Sequence, residues 1–178
     1  MSVRHASYAE LEAALQEVER SPRERGTLTL IVRRPRSGER EVLDSGLLDV
    51  EEGLVGDRWA QGKRRRVNQL TVINARFVAL VAQDRGRWPL AGDQLYVDFD
   101  LSSEHVPPGT RIAVGAAEIE VSPEPHTGCR LFAERYGRDA QRFVGSARGM
   151  ALSLRGINAW VVKGAEVRIG DEVQALFD

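Results

Sequence analysis

Cys129 is the only cysteine in the 178-residue chain, and it stands in the run Pro125-His126-Thr127-Gly128-Cys129-Arg130. A strand-like stretch, Ala117 to Val121, precedes this run, and a helix-like stretch, Arg130 to Tyr136, follows it. A thiol between a strand and the first turn of a helix meets the positive end of the helix dipole, a setting that suits nucleophiles and soft-metal ligands. A lone cysteine is more usually a small buried hydrophobe. Three neighbours argue for chemistry here: Gly128 allows close backbone approach to a ligand, His126 lies nearby, and Arg130 adds positive charge. His126 and Cys129 could also form a base and nucleophile for acyl transfer. Their spacing across a glycine loop does not fix a hydrogen bond, however, and no third orienting group is apparent.

The strongest charge cluster is Lys63-Arg64-Arg65-Arg66. Such a run is either a solvated loop before a strand or a phosphate site, because guanidinium forks match phosphate geometry. No aromatic residues interleave with it, and the chain as a whole carries a net charge of −1. Nucleic acid is therefore a poor partner, and one phosphate on a small ligand is the more economical reading. His5, His105 and His126 are widely separated, so a structural zinc site is not expected. There is no Walker loop and no dinucleotide fingerprint.

These residues need a scaffold, and the composition supplies one. Hydrophobic content of 42% and charged content of 29% are ordinary for a globular domain. One cysteine forms no internal disulfide, which fits a reducing compartment. No apolar run approaches membrane-spanning length and the first residues, Met1 to Tyr8, lack a signal-peptide core, so a cytoplasmic protein with no membrane partner is expected.

An N-terminal helix starts at a capping-box pattern, Ser7 with Glu10, places Tyr8, Leu11, Leu15 and Val18 on one face, and ends at Ser21-Pro22. Beyond it come short strands: Thr27 to Val32, paired across Ser37-Gly38 with Glu41 to Leu48, then Val67 to Ile73 before a helix from Asn74 to Gln83. Further strands are expected at Leu95 to Phe99, Arg111 to Val114, Ala117 to Val121, Ala151 to Leu154, Ala159 to Val162, Glu166 to Ile169 and Glu172 to Leu176. Many short strands with Gly/Pro turns and only occasional helices predict a mostly β fold, a β-barrel core. The expected organisation is a helical extension, residues 1–24, packed on a barrel domain, residues 25–178. The Gly-Asp pairs at Asp57, Asp93 and Asp171 read as turns closed by an Asx hydrogen bond.

In order and spacing these motifs resemble the MOSC family, the domain also found at the C-terminus of molybdenum cofactor sulfurases. The segments that carry the resemblance are Gly53-Leu54-Val55-Gly56-Asp57-Arg58, Asn68-Gln69-Leu70-Thr71-Val72-Ile73-Asn74, Ala91-Gly92-Asp93-Gln94-Leu95 and Pro108-Gly109-Thr110-Arg111-Ile112. The cysteine loop, Arg155-Gly156 and Val167-Arg168-Ile169-Gly170-Asp171 complete the set. The resemblance implies a distorted barrel like the β-barrel domain of pyruvate kinase. It also implies a cysteine that ligates molybdenum in molybdenum cofactor (molybdopterin) or handles sulfur as a persulfide. Carried over, Cys129 is the metal ligand and Arg58, Asn68 and Arg155 are cofactor-binding positions; on their own chemistry His126 is the second catalytic candidate and Gly128 a further cofactor-binding position. Where many stand-alone members have His-Gly-Gly, this chain reads Trp59-Ala60-Gln61-Gly62. The chain is too short for the sulfurases' pyridoxal-phosphate domain, so pyridoxal phosphate is not supported. The implied function is molybdenum-dependent redox or sulfur transfer on a small-molecule substrate, with an external electron donor or sulfurase as partner. The alternatives are a non-catalytic sulfur carrier or cofactor-binding module and, more remotely, a Cys-His hydrolase or transferase. The sequence leaves the oligomeric state open.

Overall fold

Period-two alternation of apolar residues separates the inner and outer faces of a closed barrel in the computed structural model, which describes residues 3–177. Met1, Ser2 and Asp178, at the outer ends of the two expected units, lie outside the described residues. The strands are β1 (Gly26–Arg33), β2 (Glu41–Leu43), β3 (Ser45–Asp49), β4 (Gly53–Leu54), β5 (Leu70–Asn74) and β6 (Leu95–Asp98). They continue with β7 (Arg111–Val114), β8 (Ala117–Val121), β9 (Ile157–Lys163), β10 (Ala165–Arg168) and β11 (Glu172–Leu176). Seven of them close in the order β1-β6-β5-β9-β8-β7-β11, and β11 returns to β1 through Gly26↔Val173 and Thr27↔Glu172. Closure leaves these strands with no open edge to template aggregation. The expected mostly β barrel with a few helices is the observed fold. Strand β2 extends the barrel sheet beside β1, and β10, β3 and β4 form a separate three-stranded sheet.

Two apolar cores follow from this closure. Leu28, Leu70, Val72, Leu95, Val97 and Ile119 fill the barrel interior. The outward-facing Leu30, Val32, Ile73 and Tyr96 meet a helical layer instead. That layer comprises α1 (Tyr8–Glu19), α2 (Ala75–Ala82), α3 (Arg130–Tyr136), α4 (Arg138–Val144) and α5 (Ala147–Ala151). Leu11 and Leu15 of α1, Phe77 and Val81 of α2, and Phe132 and Tyr136 of α3 supply its apolar faces. The Ser7–Glu10 capping box is formed. The α1 start is also tied to α4, where the Tyr8 N–H donates to Asp139 Oδ2 at 3.0 Å.

Several element readings are corrected. The stretch Ala151 to Leu154 is not a strand: it holds the end of α5 and a turn, with the Leu154 N–H donating to the Gly149 carbonyl at 2.9 Å. A short apolar run has no periodicity to tell strand from helix, and here the Ser146 cap on the Gly149 N–H sets the helix. Helix α4 has no counterpart in the sequence reading, which assigns no element between Tyr136 and Ala151. The stretch Glu41 to Leu48 does not pair throughout with β1. Only Glu41–Leu43 does so, and beyond Asp44 the chain crosses to β10. Strand β5 begins at Leu70, because residues 66–68 form a 3-10 turn.

Arg155-Gly156 enters β9 under tight steric control. Gly156 has φ +100°, and a Cβ there would lie 2.5 Å from the Val72 carbonyl oxygen of β5. Gly156→Ala therefore meets both backbone strain and a rigid backbone clash, and is expected to cost about 2 kcal/mol or more in urea unfolding. A loss below about 0.5 kcal/mol would show that the strand junction yields freely.

Candidate functional site

Buried ion pairs fix the loops around Cys129. Asp57 follows β4 and caps the 3-10 turn Arg58–Gln61, its Oδ1 accepting from the Trp59 N–H at 3.0 Å. The same carboxylate is fully buried and accepts the Arg34 fork, Nε to Oδ2 and Nη2 to Oδ1, each at 2.9 Å. Burial pushes the Asp57 carboxyl up, but the Arg34 hydrogen bonds and charge, with the backbone N–H groups of Trp59 and Arg34, hold it below the ordinary value. Arg34 reaches on to the Gly92 carbonyl at 3.1 Å. Next to Gly92, Asp93 is likewise fully buried and accepts from Arg155 Nη1 at 2.8 Å. Arg155 Nη2 donates to the Ala91 carbonyl at 3.1 Å, and its guanidinium lies 4.9 Å from the Phe132 ring centroid. Two of the three Gly-Asp turns are thus sites of buried ion pairs, whereas Asp171 only closes its turn on the Arg168 N–H.

Between the 58–68 segment and the 124–129 segment lies an open cleft of about 650 Å³, continuous with solvent. Its floor includes Thr71 of β5 and Asn158 of β9. Arg58, Lys63 and Arg64 line it, and among the described residues none of the three is paired with a carboxylate. Arg65 is paired with Glu124 at 2.8 Å. Trp59 gives the cleft an aromatic wall and shares its indole N–H between Asn68 Oδ1 and the Arg65 carbonyl, both at 3.3 Å. The basic run is thus a cleft wall as well as a solvated loop: Arg64 Nε ties back to the Ala60 carbonyl at 2.6 Å, and Arg66 stacks on Trp160.

Cys129 stands at the N-cap of α3 with its side chain exposed, makes no capping hydrogen bond, and lines the cleft. His126 lines the cleft too, but no hydrogen bond joins it to Cys129 among the described residues. Its Nδ1 lies 3.5 Å from Asp93 Oδ1, and neither atom has a hydrogen-bond partner among the described residues. Burial first, then the like charge of Arg155, lowers the His126 pKa to about 4 against the opposing pull of Asp93. His126 is therefore neutral at neutral pH.

Of the residues singled out in the sequence, the fold brings Cys129, His126, Arg58 and Asn68 to this cleft. Arg155 and Gly128 are not in its lining. Arg155 is held beneath by Asp93. The space a Cβ would take at Gly128 faces α4, 2.9 Å from Val144 Cγ2, so close helix packing explains that glycine. Sequence reasoning missed Arg34, which pairs with Asp57 across 23 positions, and Trp59, Thr71 and Asn158 in the lining. The one available signal was the recurrence of Gly-Asp, and a turn explained it equally well. No group of three or more His, Cys, Asp or Glu side chains gathers as a metal site among the described residues. No helix is long and apolar enough to cross a membrane.

The family model described as "MOSC domain" matches residues 70–174. No curated protein matches the sequence. Among solved structures the fold is similar to YuaD protein from Bacillus subtilis, at 16% identity and a TM-score of 0.61, over 86% of this chain and 97% of that one. It is similar to YiiM from Geobacillus stearothermophilus at 11% identity and a TM-score of 0.58, over 85% of this chain and 75% of that one. YiiM from Escherichia coli gives 17% identity and a TM-score of 0.57, over 85% of this chain and 70% of that one. Identities this low establish a shared fold and nothing finer.

Proposed function

This chain belongs to the MOSC domain family, and on that premise we propose that it binds a molybdenum-pterin cofactor in the Cys129 cleft. Its reaction is molybdenum-dependent reduction or oxygen transfer on an N-oxygenated small molecule, with electrons from an external donor. The observation that carries the reading is that one cleft holds an exposed thiol together with three cations, Arg58, Lys63 and Arg64, that have no carboxylate partner among the described residues.

The donor set fits the cofactor's parts. Arg58, Lys63 and Arg64 would hold its phosphate, since guanidinium and ammonium groups are the usual phosphate partners. Asn68 and Asn158 would meet the polar edge of the pterin. Cys129 offers a thiol sulfur, the soft ligand that suits molybdenum. The bound cofactor supplies two-electron chemistry at the metal. The chain's own contribution is to seat it and to present His126, an imidazole held neutral that offers a hydrogen bond rather than a base. Arg155 acts from beneath, where its charge helps keep that imidazole neutral.

The exposure of the Cys129 thiol favours one second reading, a sulfur carrier. In that role the Cys129 thiolate takes the terminal sulfur of a donor persulfide, whose own thiolate leaves.

The test is to purify the protein from a host that makes the cofactor, and to measure molybdenum and the fluorescent oxidised pterin per chain. Wild type is expected to carry both near stoichiometrically. Cys129→Ser is expected to lose the metal while unfolding within about 0.5 kcal/mol of wild type, because the side chain is exposed. Wild type that stays free of cofactor when supplied with it would overturn the metal reading and favour the sulfur carrier.

A further inference from the structure

A second pocket borders the cleft along Glu124, Pro125, His126 and Asn158. Its cavity volume is about 150 Å³, the scale of apolar cavities that take a benzene-sized molecule. Its walls are largely apolar, with Val106, Val121, Val144, Met150, Leu154 and Ile157 among them.

The charges at its boundary cancel. Arg155 is paired with Asp93, and Glu124 is paired with Arg65. His126 stays neutral down to about pH 4. One polar demand is left over. Arg155 belongs to the lining with 8% of its side chain exposed, and its buried Nε has no hydrogen-bond partner among the described residues. That atom has almost no accessible surface, so a ligand's acceptor meets it only after a small shift of the guanidinium, and then gains a hydrogen bond to a charged donor.

We propose that this pocket binds an uncharged, largely apolar small molecule that carries one hydrogen-bond acceptor, the chemistry of an aryl ketone. Apolar walls with no uncompensated charge disfavour ionic ligands, whose desolvation nothing here offsets. The Arg155 donor gives the acceptor its advantage over a plain hydrocarbon. The pocket stands apart from the cation cluster and needs no cofactor, so this inference is independent of the cofactor reading.

Titration of the ¹⁵N-labelled full chain with acetophenone tests it. Saturable amide shifts are expected at residues 103–108, 121–126 and 149–158. Ethylbenzene, which lacks the acceptor, is expected to bind about tenfold more weakly, and benzoate to compete poorly. Met150 is exposed at the pocket, so Met150→Trp fills it from outside and is expected to weaken acetophenone about tenfold. Arg58→Ala, in the cleft, is expected to leave acetophenone binding unchanged. No saturable shift, shifts confined to residues 58–68 and 127–129, ethylbenzene binding as tightly as acetophenone, or benzoate preferred over acetophenone would each overturn the proposal. Because the comparison of the three probes uses wild type, it does not depend on the folding of a variant. A chain that binds acetophenone but never takes up molybdenum would keep this inference and lose the cofactor reading.

Discussion

Asp57→Ala is expected to lose about 3–5 kcal/mol of unfolding free energy, the cost of stranding one half of a buried ion pair. The Asp57 side chain is 0% exposed, and its partner Arg34 is only 14% exposed. Four donors converge on the carboxylate: the Arg34 N–H, Nε and Nη2, and the Trp59 N–H. Alanine leaves all four without an acceptor and leaves a guanidinium buried without a counter-charge. The damage should concentrate in the cleft wall, because the same carboxylate starts the turn that carries Arg58 and Trp59. Urea unfolding gives the total, and amide exchange over residues 58–68 gives its location. Asp171→Ala is the control: that carboxylate accepts from the Arg168 N–H and has no buried ion pair, so about 1 kcal/mol or less is expected. A loss at Asp57 no larger than at Asp171 would reduce the buried pair to an ordinary turn.

Acidification below pH 6.5 is expected to destabilise the protein through His126 by about 3 kcal/mol, complete near pH 4. In the unfolded chain the imidazole gains a proton as the pH falls through 6.5, its ordinary value. In the folded protein, burial and then the Arg155 charge keep it neutral down to about 4. The unfolded state therefore binds more protons across that window, and stability falls as pH falls. Above the window both states hold His126 neutral and its contribution is fully present. With 18% of the side chain exposed, solvent screens little of this effect. Carboxylates such as Asp57 also titrate at the acid end, so the readout is the difference between wild type and His126→Gln. Wild type should lose about 3 kcal/mol more than the variant between pH 7.5 and 4 in urea unfolding. Parallel profiles would show that His126 takes its proton as readily folded as unfolded.

The sequence by itself determined what short-range physics can determine. Strand alternation is local, so Ala117, Ile119 and Val121 could be assigned to one buried face of β8 before any partner was known. The α1 capping box is local as well, and so is the position of Cys129 between a strand and a helix. A series of short strands with turn glycines was enough for a barrel, since few other architectures satisfy so many strand edges.

Tertiary structure decided whatever depends on residues far apart in the chain. The break at Asp44 follows from pairing with β10, just beyond which the Ile169 N–H donates to the Asp44 carbonyl at 3.0 Å. The ion pairs Arg34–Asp57 and Arg155–Asp93 look like turn residues in isolation, and only barrel closure buries them and makes them partners. Gly128 seemed placed for a ligand until α4 packed against it. Closure also made one cleft from Arg58, Asn68, His126 and Cys129, which lie on separate loops. Residue types fixed which groups were available for chemistry. Their shared burial and charge environment exists only in three dimensions, because desolvation and Coulomb attraction depend on distance in space and not on position along the chain.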